Sequence, residues 1–247
     1  MELKVIAYAR NGHSDKFGIP RQSREESPIV TRIVFEPEYS VPEALRGIEG
    51  FSHLWLIWGF SEVDKTPIKV RKESDKSPSW FPTVRPPRLG GNKRMGVFAT
   101  RSPFRPNPLG LSSVKLLKVE SRKTKEESRL ELIVSGADLL DGTPIYDIKP
   151  YLSFSDSHED AKNGFAEEAK GYKLGVVGLS SPPTCLRLAS DLPPTGILED
   201  LEYILSQDPR PGYQDDPERE YKLDYAGYTV TFVVQNNTAI VKNIEKT

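Results

Sequence analysis

The sequence predicts a mainly β protein: a small closed or open-sided β-barrel over residues 1–155, followed by a smaller α+β domain over residues 156–247. Three observations carry that expectation. Six short strand-like segments fall between Leu3 and Ser135 with little helical pattern among them, and closing such a set into a barrel removes exposed edges. After Tyr151 the composition shifts, and one well-patterned helix and one alternating hairpin follow. No repeat and no true linker interrupts the 247 residues, so the two units should pack together.

Leu3–Ala9 reads as the first strand, and Asn11–Pro28 as a long polar loop punctuated by Gly and Pro. Ile29–Phe35 is the second strand, closed by Pro37 and Pro42; Pro42–Leu45 makes at most a helical turn before Gly47. Phe51–Phe60, FSHLWLIWGF, is apolar at both parities, which predicts a strand buried on both faces with His53 as a satisfied core histidine. Ser61–Ser79 is a charged connection, and Trp80–Gly91 is dense in proline, arginine and glycine. Met95–Thr100, Ser112–Glu120 and Leu130–Ser135 complete the six strands, with Lys118–Arg129 as a solvated hairpin connection. Further on, a short helix is expected at Phe165–Lys170 and a short strand at Thr184–Leu188. The main helix should run Thr195–Gln207: Thr195 caps it, Ile197, Leu201, Ile204 and Leu205 form its apolar stripe, and Pro209 stops it. Tyr228, Val230, Phe232 and Val234 alternate with polar residues, and Asn236–Asn237 turns the chain into Ala239–Ile244.

The net charge of -1 and a pI near 6.4 argue against a general nucleic-acid coat, but they hide an asymmetry. Val63–Gly110 carries a local charge of +8, and Asp191–Glu220 one of -7. A polyanion could use the first region and would avoid much of the second; equally, the two could be solvated faces that pair with each other or across a dimer. A single Cys185 excludes an internal disulfide, and His13, His53 and His158 are too scattered for a metal site. No signal-peptide pattern or membrane-length apolar run is present. A soluble cytoplasmic protein, with neither membrane nor DNA as partner, is therefore the expectation.

Chemistry concentrates in four places. Arg101–Leu111, RSPFRPNPLGL, cannot be helix or central strand because its prolines fix φ and remove donors. Its Arg101 and Arg105 suit a carboxylate or phosphate, Phe104 could cover a heterocycle, and Asn107 could read a ligand edge. The other reading is a loop whose arginines bind its own carbonyls. Asp141–Tyr151, DGTPIYDIKPY, offers Tyr146, Asp147, Lys149 and Tyr151 to a ligand, or else forms a capped strand with a surface Asp–Lys pair. Arg21 and Gln22 make a third cluster. The fourth, Asp208–Tyr213, could touch an RNA backbone through Arg210 and stack a base on Tyr213, or merely end the helix. The chain has no GxGxxG after a first strand, no GxxxxGK[ST] phosphate loop, no recognisable Ser/His/Asp order and no amino-methyltransferase tetrad.

The stretches KFGIPRQS, FSHLWLIWGF, RPPRLGGNKRMGVFATRSPFRPNPLGLSS, DGTPIYDIKPYL and SQDPRPGY follow one another in that order. Together they closely resemble the TrmO (TsaA-like) family, over nearly all of residues 1–155 and again around residues 197–213. The resemblance implies a homodimeric, S-adenosylmethionine-dependent methyltransferase whose cofactor binds a β-barrel. Its substrate would be N6 of threonylcarbamoyladenosine at position 37 of threonine tRNA. Carried over residue by residue, cofactor contacts would come from Pro20, Arg21, Gln22, Ser61, Glu62, Arg101, Leu111, Asp141, Gly142, Thr143 and Pro144. Ser61–Glu62 departs from the family's polar-histidine ending of that strand, and Val63–Ser79 is longer than in many relatives. It would either extend a basic face toward tRNA or form a lineage-specific loop. Catalytic roles would fall to Asp208, Arg210, Tyr213 and Asp147. Asp147 or Asp208 would accept the amine proton, Arg210 would hold a phosphate or the threonyl carboxylate, and Tyr213 would stack the base. The alternatives are a cofactor-binding RNA-binding or regulatory module without transferase activity, and a structural dimer whose arginine loop is only an interface.

Overall fold

The computed structural model describes residues 2–20, 22–24, 26–61, 80–86, 93–123, 128–169, 173–179, 193–210 and 216–247. Its strands are β1 (Ala7–Arg10), β2 (Val30–Phe35), β3 (His53–Gly59), β4 (Thr83–Val84), β5 (Met95–Gly96), β6 (Leu109–Lys123), β7 (Ser128–Ser135), β8 (Pro144–Pro150), β9 (Gly175–Val177), β10 (Tyr221–Tyr225), β11 (Tyr228–Gln235) and β12 (Thr238–Lys246). Two α-helices accompany them among the described residues, α1 (Ser153–Asp156) and α2 (Thr195–Ser206).

Six strands close into a barrel in the order β1-β2-β7-β6-β3-β8, and β8 returns to β1 through the pairs Ala7–Ile145 and Tyr8–Pro144. Every adjacent pair is antiparallel. Ala7, Ala9, Ile33, Leu54, Leu56, Val114, Leu132, Val134 and Ile145 fill the interior. The small alanines of β1 leave room there for the large side chains of β3 and β7.

The barrel's membership differs from the sequence reading in one strand. Met95–Thr100 is not a stave: only Met95–Gly96 pairs, with β4, and the chain then turns at Val97–Ala99. Both the backbone N–H and the hydroxyl of Thr100 donate to the Val97 carbonyl, at 3.0 and 2.8 Å, and close that turn. The sixth stave is β8, in keeping with the capped-strand reading of Asp141–Tyr151. Two further boundaries shift. The hairpin of β6 and β7 runs through most of Lys118–Arg129, its ladder continuing through Ser121–Leu130 and Arg122–Arg129 to Lys123–Ser128. The first strand is shorter than Leu3–Ala9, although Ile6 still donates to the Ile145 carbonyl.

FSHLWLIWGF buries Leu54, Leu56 and Trp58 inward, whereas His53, Trp55 and Ile57 stand half-buried on the outer face. His53 is thus an outer-face residue hydrogen-bonded to Ser52, 2.9 Å away, not a core histidine.

The second sheet runs β10-β11-β12-β9, with β9 parallel to β12. Asn236 and Asn237 both adopt positive φ, 48° and 59°, and make the tight turn of the expected hairpin. Helix α2 lays Leu201, Ile204 and Leu205 on this sheet against Leu223, Val230 and Phe232. Pro194, not Thr195, occupies its N-cap position, and no side chain caps the helix. The expected helix near Phe165 is a 3-10 turn, Gly164–Ala169; the expected strand Thr184–Leu188 lies outside the described residues.

The loop between β1 and β2 belongs to both units. Ile29 and Phe17 pack into the second core, and the Ala226 N–H donates to the Gly12 carbonyl at 2.8 Å. Gly18 sits at φ +98°, and a Cβ there would lie 2.2 Å from Leu223. His13 is fully buried beneath the edge of Tyr225, ring centroids 5.0 Å apart, and neither ring nitrogen has a partner among the described residues. Burial lowers its pKa from 6.5 to about 4. The folded state therefore holds a neutral imidazole, and stability is lost as pH falls from 6.5 toward 4, where the unfolded chain binds the extra proton. The slope is at most about 1.4 kcal/mol per pH unit. Urea unfolding across that range should show the decline in the parent chain and a flatter profile in His13→Leu; parallel profiles would refute the assignment.

Candidate active site

The connection from β7 to β8, residues 136–143, carries the polar groups that organise one end of the barrel. At its start the Gly136 carbonyl accepts the Arg24 N–H at 3.1 Å, which ties down the stretch following Gln22. Asp138 comes next and points its carboxylate at Ser112 of β6, whose hydroxyl donates to it. Ser112 in turn accepts the indole N–H of Trp58 at 2.9 Å. Burial pushes the Asp138 carboxyl above its ordinary range, against the opposing pull of the Ser112 hydroxyl, the backbone N–H groups of Asp138 and Ser23, and the Arg101 charge.

Beside that carboxylate, Arg101 donates through Nη1 to Oε1 of Gln22. The two residues are 79 positions apart, so only the tertiary fold joins them. Arg101 and Gln22 are both exposed, and Pro20 is buried beneath the same loop. A guanidinium with donors to spare, an amide and a half-buried carboxylate form a set that can hold a zwitterion.

Asp141–Pro144 forms the far side of the same connection. The Asp141 N–H donates to the His13 carbonyl and the Gly142 N–H to the Ala9 carbonyl, each at 2.9 Å. Gly142 takes φ +77°, which a side chain would resist. The Asp141 carboxylate accepts from the Asn11 N–H at 3.1 Å and from Arg10 at 3.4 Å. Thr143 is buried, and its hydroxyl donates to the Leu140 carbonyl at 2.8 Å. Asn11 locks the arrangement, donating to the Leu139 carbonyl at 2.9 Å and accepting the His13 N–H at 2.9 Å. This turn is consequently a rigid shelf whose backbone is largely engaged.

On the outer face, β6, β3 and β8 align Leu111, Ile57 and Asp147 in one cross-strand row. Leu111 is 54% exposed, free to cover an apolar ring. Asp147 pairs with Lys149 at 3.0 Å, two residues along the same face. A bulge between Ile57 and Trp58 turns Tyr146 over Gly59, where a Cβ would lie 2.7 Å from the phenol ring. Ser61, just past the end of β3, is exposed.

The remaining assignments divide. Arg105 binds the carbonyls of its own loop, Thr100 at 3.2 Å and Ser102 at 3.4 Å. Asp208 and Arg210 grip each other after α2, through Nε at 2.9 Å and Nη2 at 3.1 Å. Arg21, Glu62 and Tyr213 lie outside the described residues. The structure thus joins Gln22 with Arg101, joins the Asp141–Pro144 turn with β1, and keeps Asp208 with Arg210 at the helix end. Sequence reading missed Asp138, Ser112, Asn11 and Trp58. Asp138 sits in SGADLLDG, where the neighbouring Asp-Gly is the louder signal; Ser112 reads as an ordinary strand position.

Family models match both halves of the chain. A model described as the tRNA-methyltransferase O N-terminal domain matches residues 8–157, and the TrmO C-terminal domain model matches residues 186–247. The chain is 42% identical over 201 residues to a tRNA (adenine(37)-N6)-methyltransferase of Eikenella corrodens, covering 78% of this chain and 97% of that one. It is 37% identical over 214 residues to the enzyme of the same description from Escherichia coli (strain K12), covering 86% and 83%. A crystal structure of TrmO from Pseudomonas aeruginosa superposes with a TM-score of 0.70 at 27% identity, covering 99% of this chain and 97% of that one.

Proposed function

The chain belongs to the tRNA-methyltransferase O family, and from that premise we propose that it methylates N6 of the adenosine at position 37 of a tRNA with S-adenosylmethionine as donor. More finely, the substrate we assign is threonylcarbamoyladenosine in threonine tRNA, the active form a homodimer, and the compartment the cytoplasm. Residues 1–155 form the cofactor-binding domain in this reading, and residues 156–247 contact tRNA.

The observation that carries the proposal is the meeting of Arg101 and Gln22 beside the half-buried carboxylate of Asp138. Those groups fit the cofactor's chemistry: Arg101 suits its carboxylate, the Gln22 oxygen and Asp138 suit its cationic groups, and Leu111 suits the adenine face. Pro20, Ser61 and the Asp141–Pro144 shelf would bound the site. When bound, the cofactor supplies an electrophilic methyl on sulfur. The chain's own task is to hold the acceptor amine in line with it, which avoids the entropic cost of a chance encounter. That nitrogen's lone pair is delocalised into the carbamoyl group, and its proton must leave as the new N–C bond forms. Asp147, half-exposed in the row with Leu111, serves as the acceptor. Asp208 is the poorer choice, because Arg210 holds its carboxylate through two hydrogen bonds. Arg210 then orders the helix end, and Tyr213 stacks the base.

The test is transfer of labelled methyl from S-adenosylmethionine to threonine tRNA with and without the threonylcarbamoyl group, followed by nucleoside mass analysis. Product from the carbamoylated tRNA alone is expected. Cofactor binding without product on either RNA would leave a cofactor-binding module and remove the enzyme. In parallel, Arg101→Ala should weaken cofactor binding by about 10–100-fold, as expected when a charge-assisted contact worth about 1.5–3 kcal/mol is lost. Unchanged affinity in calorimetry would take Arg101 out of the site.

A further inference from the structure

Between Trp80 and Val119 the sequence has eight lysines and arginines and not one aspartate or glutamate. The β4–β5 ribbon and the turn that follows it lie inside this stretch. Thr83 pairs with Gly96 and Val84 with Met95, and the Val97 N–H donates to the Pro82 carbonyl at 3.0 Å. The turn at Val97–Ala99 drives Val97 inward, to 1% exposure, and leaves Phe98 outward at 70%. Phe98 meets the Trp80 ring at 5.3 Å between centroids, tilted by 39°. Phe81 and Phe104 meet edge to face at 5.9 Å, and they are 45% and 39% exposed.

Four aromatic rings are therefore presented by a braced backbone instead of being folded away. Arg85 directly follows β4, Lys93 and Arg94 directly precede β5, and all three are exposed; Arg94 is oriented by a 2.9 Å bond to the Thr83 hydroxyl. The platform runs into the candidate active site, since Phe104 follows Arg101 by three positions on one loop.

Resting on the methyltransferase reading above, we propose that Trp80, Phe81, Phe98 and Phe104 form a stacking platform for the unpaired bases of an RNA loop, with Arg85, Lys93 and Arg94 on its phosphates. Rings supply sequence-tolerant stacking, and cations without intervening carboxylates track the backbone. A second copy of the chain fits this face less well, because a self-complementary contact would set like charges against each other. Double-stranded RNA would engage the cations but leave the rings unused.

The experiment compares two RNAs, a hairpin with an unpaired loop and a blunt duplex of the same stem, against the full chain and a W80A/F98A variant. Expected is a loss of about 10–100-fold in hairpin affinity from the variant. Duplex affinity, S-adenosylmethionine affinity and sedimentation behaviour should stay unchanged. W80F/F98Y should bind the hairpin as the parent does, which separates stacking from a folding defect. Equal losses on hairpin and duplex, or unchanged hairpin affinity in W80A/F98A when the parent chain methylates tRNA, would overturn the platform alone. A change of oligomeric state with RNA affinity intact would give the face to a second copy. A parent chain that neither binds the hairpin nor transfers methyl would overturn the functional reading as well.

Discussion

Replacing Asp208 by alanine is expected to lower the unfolding free energy by about 3–4 kcal/mol, measured by urea denaturation, before any effect on chemistry is considered. The side chains of Asp208 and Arg210 are only 15% and 8% exposed. Their pair has two side-chain bonds, at 2.9 and 3.1 Å, and the Arg210 N–H adds a third at 3.3 Å to the same carboxylate. Removing the carboxylate takes two side-chain bonds and the adjacent countercharge from a buried guanidinium, which costs more than the pair contributes when intact. Backbone strain adds to this, because Asp208 sits at φ +50° immediately after α2, where the helix ends in the left-handed region. Alanine tolerates that conformation less well than aspartate does. Asp208→Gly separates the two contributions, since glycine takes the φ freely and still loses the charge. It should therefore be destabilised less than Asp208→Ala, by up to about 1–2 kcal/mol. If Asp208→Ala unfolds like the parent but no longer transfers methyl, the carboxylate acts on the substrate and the structural account fails.

The same pair shows what a sequence can and cannot display. Asp-Pro-Arg-Pro after an apolar helical stripe is visible as punctuation, and the helix and terminal hairpin were legible because their periodicities, 3.6 and 2, are local. That Asp208 and Arg210 would close on each other depends on one left-handed residue, which no periodicity records. β8 escaped for a related reason. Its outer face carries Tyr146, Asp147 and Lys149, so a stave of the barrel reads equally as a ligand-facing cluster; the strand and its surface Asp–Lys pair are both present. Met95–Thr100 erred the other way, apolar enough for a stave yet used for a turn that exposes Phe98. In the candidate site, Arg101 and Gln22 could be named singly from motif chemistry. Asp138 could not, because its meaning comes from Ser112, Trp58 and Arg101, brought to it by three different parts of the chain.

Gly110→Ala should join both levels, costing about 3 kcal/mol of stability and weakening the cofactor site together. Gly110 lies opposite Trp58 in the β3–β6 ladder. A Cβ there would fall 2.2 Å from the indole, against ring atoms that cannot swing aside as a flexible side-chain tip does. The ring is only 7% exposed, so it has no solvent to retreat into and must displace its neighbours in the barrel core. Moving the indole also breaks the 2.9 Å bond from its N–H to Ser112. Ser112 is then no longer held on Asp138, and a carboxylate already disfavoured by burial loses part of its compensation. Trp58→Phe offers the control: it removes the N–H but keeps an aromatic ring, so it should spare most of the stability and still weaken S-adenosylmethionine binding. Paired urea unfolding and calorimetry on the two variants decide the matter. A Gly110→Ala chain with parental stability would show that the strand end yields at no cost. Trp58→Phe with parental cofactor affinity would show that the Trp58–Ser112–Asp138 chain supports the barrel and not the site.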